Sequence, residues 1–233
     1  MIEQNLRQVH ARMANACDAA GRARQSVALL TVTKTFGPDA VREAFEAGEH
    51  RFGENYVQEG LEKIALLADL RERIEWHLIG PLQSNKTRVV AEQFDWVHSV
   101  DRLKIAQRLS EQRPAHLPPL QICLQVNVSG EASKSGMDAA DVAQVIEVAR
   151  AMSQFDGVRL RGLMAIPEPA GDFESQRVPH RRLRALLAAL NDDGLSLDTL
   201  SMGMSADMDA AIAEGATIVR VGSAIFGARG VGI

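Results

Sequence analysis

The chain has 233 residues, and at roughly 150 residues per domain that fits one large domain or two small ones. Charged residues make up 24% and hydrophobic residues 46%, a globular balance that excludes a disordered chain and leaves enough apolar side chains for a sizeable core. The formal net charge of −4 disfavours a general nucleic-acid binder, and no apolar run reaches the ~20 residues of a membrane helix.

The first residues, Met1 to Met13, are polar and helical in pattern and lack the apolar core of a signal peptide, so a cytoplasmic protein is expected. Cys17 and Cys123 lie far apart with no metal-like spacing and read as two reduced thiols. Only five of the 26 basic residues are lysines (Lys34, Lys63, Lys86, Lys104 and Lys134), and Tyr56 is the single tyrosine. Chemistry that needs a lysine or a tyrosine therefore has few candidates.

Residues 2–16 carry Ile2, Leu6, Val9, Met13 and Ala16 at helical spacing. Ala28 to Thr33 reads as a buried strand. Gly37-Pro38 opens a helix with proline at its tolerated first position, and Gly48 stops it. A second strand at Arg51 to Gly53 precedes a helix over 56–72. Strand Glu75 to Gly80 leads to a helix from Ser84 to Gln93, and strand Trp96 to Ser99 to a helix capped by Asp101. A fifth strand, Leu120 to Val128, is followed by a helix over 138–153. A sixth, Arg159 to Ile166, is followed by a helix over 172–191. Strand Thr199 to Met202, a helix over 206–214 and strand Thr217 to Val221 complete the series.

Eight strands alternating with helices imply parallel pairing. Eight such units in this length suit a single (β/α)8 TIM-type barrel over residues 1–233 with an extra N-terminal helix, near the typical size of ~250 residues. A doubly wound open sheet is the alternative. The first strand-to-helix turn, Thr33 to Pro38, lacks that fold's glycine fingerprint.

In such a barrel, chemistry sits where strands end. The first strand ends at Lys34. A desolvated lysine loses proton affinity, and its neutral amine attacks carbonyls. Position alone leaves this role level with that of a solvated ammonium. Asn55, after the second strand, fits either a ligand contact at the mouth or a helix cap. His77 and His98 lie on neighbouring strands and read as satisfied core histidines; with no third ligand they make no metal site. The loop Asn127 to Gly136 is small and polar, a surface loop or a lid carrying Lys134.

The last two strands lead into Ser201-Met202-Gly203-Met204-Ser205 and Arg220-Val221-Gly222-Ser223. Ser205 can cap the next helix, Gly203 allows close backbone approach, and barrels often keep phosphate sites after these strands; two ordinary Gly/Ser turns are the alternative. Asp207 competes with an anion there if it turns inward. An amine at the first strand and a phosphate cradle at the last two suit pyridoxal 5′-phosphate, or a Schiff-base aldolase acting on a sugar phosphate. Arg220 favours the former, because a fixed cation beside a pyridine nitrogen opposes its protonation.

The segments Thr31 to Thr35, Phe52 to Glu59, Trp76 to Lys86, Gln125 to Gly136, Gly162 to Met164 and Leu200 to Ser205, with Phe226 to Arg229, resemble the pyridoxal phosphate homeostasis protein family in order and over nearly the whole chain. The resemblance implies a fold-type III barrel like the N-terminal domain of alanine racemase, binding one pyridoxal phosphate. It makes Lys34 the Schiff-base lysine and sets Arg220 against the pyridine nitrogen. Ser205, Gly222 and Ser223 become the phosphate cradle, with Asn55 on the cofactor's side and Ser201 a weaker carry-over. Thr33 stands where the family more usually has serine, and Ser223 where it has threonine; both keep the hydroxyl. Lys134 matches a loop lysine discussed as a second cofactor contact.

Racemization on this fold needs the lysine and an opposed tyrosine from an added β domain. The barrel takes up the 233 residues, and no motif sets Tyr56 opposite Lys34. The expectation is therefore a monomeric carrier that keeps pyridoxal phosphate available to apo-enzymes in vitamin B6 homeostasis, without catalysis. A weak amino-acid racemase is the alternative.

Overall fold

Every second residue of the strand Ala28–Val32 (β1) points toward one axis, and seven further parallel strands share that axis. The computed structural model describes residues 1–130 and 135–227. Helix α1 (Ile2–Ala19) precedes β1, which is followed by α2 (Pro38–Glu46), β2 (Arg51–Glu54), α3 (Val57–Leu66) and β3 (Glu75–Leu78). Next come α4 (Thr87–Gln93), β4 (Trp96–Val100), α5 (Leu103–Gln112) and β5 (Leu120–Asn127). A two-residue strand, β6 (Met137–Asp138), leads to α6 (Val142–Met152), β7 (Val158–Met164) and α7 (Phe173–Asp192). The last elements are β8 (Thr199–Ser201), α8 (Met208–Ala213), β9 (Ile218–Val221) and the short α9 (Ser223–Phe226).

The strands run in the order β4-β3-β2-β1-β9-β8-β7-β5, and β4 also pairs with β5. The sheet is thus a closed ring of eight parallel strands with helices outside, the expected (β/α)8 barrel. Closure leaves no exposed edge within the ring. Pairing of β1 with β9 sets Leu30 opposite Arg220 and joins the first barrel strand to the last.

Two apolar regions hold the barrel. The larger lies between strands and helices and includes Leu29, Phe52, Trp76, Val97, Leu163 and Val219. A smaller one, Leu30, Trp96, Cys123, Met164 and Ile218, fills the barrel interior. Burying one such large aliphatic side chain is worth about 1.5–3 kcal/mol. Inward positions also carry polar groups: His77, His98, Ser201 and Arg220 are all buried. Both cysteines are buried free thiols.

Local chemistry follows the sequence in most places. Pro38 sits in the first turn of α2, and Gly48 takes φ +106° just beyond its end. Four expectations shift. The helix over 56–72 divides into α3 and a separate turn at Ala68–Leu70. The segment from 138 starts its helix only at Val142, capped by Asp141, which accepts from the Gln144 amide, while Met137 and Asp138 pair with β5. Asp101 does not cap α5; Arg102 holds the cap position, and the Asp101 carboxylate pairs with that arginine at 2.8 Å. Ser205 does not cap α8, whose cap position is Asp207. No helix among the described residues is long and apolar enough to cross a membrane.

Candidate functional site

A cavity of about 660 Å3 opens at the C-terminal ends of the strands. Lys34, Asn55, Ser205, Arg220, Gly222 and Ser223 all line it. Six of the seven residues singled out in the sequence thus come together. The seventh, Ser201, lies fully buried behind Arg220 and receives a hydrogen bond from its Nη1 at 2.7 Å. Lys134 falls outside the described residues.

Lys34 lies two residues past β1, half-buried. It makes no hydrogen bond or ion pair with the described residues. Its backbone is fixed from both sides. Buried Lys63 donates from Nζ to the Thr33 carbonyl at 2.7 Å and to Glu54 Oε1 at 2.7 Å. The Thr33 hydroxyl also donates to Glu54, and the Thr35 amide donates to Glu59. Thr35 is held at φ +70°, the one non-glycine residue in the left-handed region among those described. A β-branched residue there costs on the order of 1–2 kcal/mol. The strained turn keeps the amine over the cavity. Burial pushes the Glu54 carboxyl above its usual range despite Lys63.

Asn55 caps nothing; Tyr56 occupies the cap position of α3. Its side-chain Oδ1 is buried without a partner at the cavity wall. An unpaired buried acceptor is costly, so this atom is a ready contact for a ligand donor. Gly80 lets the chain pass here, since a Cβ on it would lie 1.9 Å from the Asn55 carbonyl oxygen.

Across the mouth, the Ser205 and Ser223 hydroxyls approach to 3.3 Å. Gly222 packs against β1, where a Cβ would come within 2.8 Å of the Val32 carbonyl oxygen. Gly203, at φ +93°, accepts the Arg220 amide on its carbonyl. Asp207 does not turn into the cavity. Its Oδ2 meets His180 Nε2 at 2.8 Å, and its Oδ1 accepts from the Met204 amide. Burial raises the Asp207 carboxyl, but His180 and that amide outweigh it and hold it below the usual range.

Arg220 is 3% exposed, and burial pulls its guanidinium down to about 10, still charged at neutral pH. Lys34 and Arg220 are the only ionisable side chains among the described residues lining the cavity. Tyr56 is 60% exposed and is not one of them. Two contributions escaped sequence reading: the Lys63–Glu54 pair beneath Lys34, and the hydrogen bonds that link the core histidines His77 and His98 to Ser201 behind Arg220. A lysine within the α3 pattern gave no sign of burial, and the histidines gave no sign of what they touch.

Comparison with known proteins gives the same class of barrel. The family model described as the alanine racemase N-terminal domain matches residues 4–230. The chain is 60% identical over 231 residues to the pyridoxal phosphate homeostasis protein of Pseudomonas aeruginosa, covering 99% of this chain and 97% of that one. It is 50% identical over 229 residues to the protein of the same name in Escherichia coli, covering 98% and 97%. The structure of PipY from Synechococcus elongatus with pyridoxal phosphate bound superposes with a TM-score of 0.83 at 37% identity, covering 97% of this chain and all of that one. The chain therefore belongs to the pyridoxal phosphate homeostasis protein family, within the alanine racemase N-terminal domain class.

Proposed function

We propose that this chain binds pyridoxal 5′-phosphate in the barrel mouth, holds it as a Schiff base on Lys34, and serves intracellular vitamin B6 homeostasis rather than catalysis. The observation that carries this reading is the placement of an unpartnered lysine amine and a buried arginine, charged at neutral pH, on one cavity, with two hydroxyls beside them.

When bound, pyridoxal phosphate supplies an electrophilic aldehyde and a ring that withdraws electrons best when its nitrogen is protonated. The chain's own groups fit it. Lys34 has no partner to displace before meeting the aldehyde. Ser205 and Ser223 offer hydroxyl donors to the phosphate, and the first amides of α9 lack helical acceptors. Arg220 has only donors, so it cannot take up a proton from the ring nitrogen, and its charge disfavours one there. Asn55 Oδ1 is free to accept from the ligand.

The same inventory argues against racemization, which needs an acid or base on each face of the substrate. Lys34 supplies one, and no tyrosine, histidine or carboxylate among the described residues lines the cavity to supply the other. Recipients of the stored ligand are pyridoxal-phosphate-dependent apo-enzymes, and the carrier acts as a monomer.

The test is spectroscopic. Purified protein mixed with pyridoxal phosphate is expected to show a visible imine band that Lys34→Ala loses. An unchanged band in that variant overturns the assignment of Lys34. Exchange of solvent deuterium into the α-position of amino acids, at a rate above free pyridoxal phosphate, overturns the non-catalytic reading. Transfer to an apo-enzyme no faster than from free ligand leaves storage as the role.

A further inference from the structure

Arg220 is a buried cation with no carboxylate in ion-pair contact among the described residues. Its Nη2 donates to the Ala165 carbonyl at 2.9 Å and its Nη1 to Ser201 Oγ at 2.7 Å. From Ser201 a single file of hydrogen bonds continues. Ser201 Oγ lies 2.7 Å from His98 Nδ1, His98 Nε2 lies 2.8 Å from His77 Nδ1, and His77 Nε2 lies 2.9 Å from Glu75 Oε1. The file crosses the barrel interior from the cavity floor to the start of β3. There the Glu75 side chain is 41% exposed. Stacking of His77 on Trp96, at 5.3 Å and 10°, fixes the ring plane.

The two ends impose one direction. Burial raises the Glu75 carboxyl, but the His77 bond and Arg51 outweigh it, so it is ionised and only accepts. That puts the His77 proton on Nε2. Burial also pushes both imidazoles down, His98 well below the usual range with His77 and Arg220 adding to the effect, so each ring carries one proton. His77 Nδ1 then accepts from His98 Nε2–H, and His98 Nδ1 accepts from the Ser201 hydroxyl. At the far end Arg220 can only donate, so Ser201 Oγ accepts from it and has its O–H left for His98. Both ends demand the same polarity, and every buried polar atom along the file is satisfied.

We infer that Ser201, His98 and His77 form a one-way hydrogen-bond relay that ties Arg220 to Glu75 at the opposite end of the barrel and so fixes the guanidinium that faces the ligand. Ser201, His98 and His77 are positioning residues: they act through Arg220 and do not touch the ligand. The inference rests on the reading that Arg220 faces bound pyridoxal phosphate. The relay itself is a property of the ligand-free protein.

Two measurements test it. Long-range proton–nitrogen NMR of the ligand-free full chain at neutral pH is expected to show His77 and His98 protonated on Nε2 and bare on Nδ1, with a coupling across the bond between them. His77→Asn and His98→Asn assign the signals. A proton on Nδ1 of either ring overturns the relay. The dissociation constant for pyridoxal phosphate is then read by visible absorbance. Ser201→Ala and His98→Phe are expected to weaken binding by about tenfold, the loss of a hydrogen bond to a charged group. Ser201→Thr, which keeps the hydroxyl, is expected to bind close to wild type. Equal constants for wild type and Ser201→Ala overturn the positioning role. Failure of the wild type itself to bind overturns the proposed function, while the NMR result still judges the relay.

Discussion

Single residues carry the site's energetics, and the Lys63–Glu54 pair shows how. Lys63 is almost fully buried and holds both the Thr33 carbonyl and the Glu54 carboxylate. Removing one partner of a buried pair leaves an uncompensated charge. Lys63→Met is therefore expected to destabilise the fold by about 3 kcal/mol at neutral pH, read by urea unfolding. Adding Glu54→Gln should recover part of the loss; no recovery would mean that the ammonium acts only through the Thr33 carbonyl. Lys34 and Arg220 were legible as candidates because they fall at or just past the ends of barrel strands; position alone left Lys34 level with a solvated ammonium, and the family resemblance supplied the role. His98 and His77 were legible as core histidines, and Ser201 only as a weaker cofactor contact implied by the resemblance. The bond from Ser201 to His98 joins residues 103 apart, and no local pattern encodes it.

Helices and strands were legible from periodicity, and their ends less so. Asp101 and Ser205 are good caps by residue type, yet one carboxylate turns to a neighbouring arginine and one hydroxyl to the opposite serine. Cap choice depends on competing partners brought by the tertiary fold. Helix α1 was legible as a helix, but its attachments were not. Arg12 donates to the Ser205 carbonyl and pairs with Asp209, Asn5 donates to the Ile225 carbonyl, and His10 meets Glu49. The helix thus braces the two loops that carry the paired serines. Glu49 raises the His10 imidazole above its ordinary value through their hydrogen bond, against burial. A raised folded value means that this contact stabilises fully below the unfolded value of about 6.5 and is lost as pH climbs through the folded one. Urea unfolding at pH 6 and 8 should show more stability at pH 6, by well under 1 kcal/mol from this half-exposed pair, and His10→Gln should flatten that difference. An unchanged slope in the variant would place the pH dependence elsewhere.

At the scale of the molecule, the closed ring was the most legible feature, since eight alternating units of this length have few other arrangements. What the alternation does not encode is how tightly neighbouring strands approach. Gly162 faces the Thr199 carbonyl so closely that a Cβ would sit 1.8 Å from its oxygen. Gly162→Ala is expected to push β7 from β8 and cost about 3 kcal/mol, visible as a lowered unfolding midpoint; a midpoint within error of wild type would show that the strands can part without strain.

The pairing of β1 with β9 has a consequence for the protein as it is made. Lys34 leaves the ribosome well before Arg220, so its amine is made before the serines, glycine and arginine of the other wall. A chain that still lacks β9 has no second wall to its cavity, and its Lys34 is a solvated lysine of the kind any polypeptide presents. On the proposed role of Lys34, capture waits until β9 docks beside β1, so that possession of the ligand reports a closed barrel.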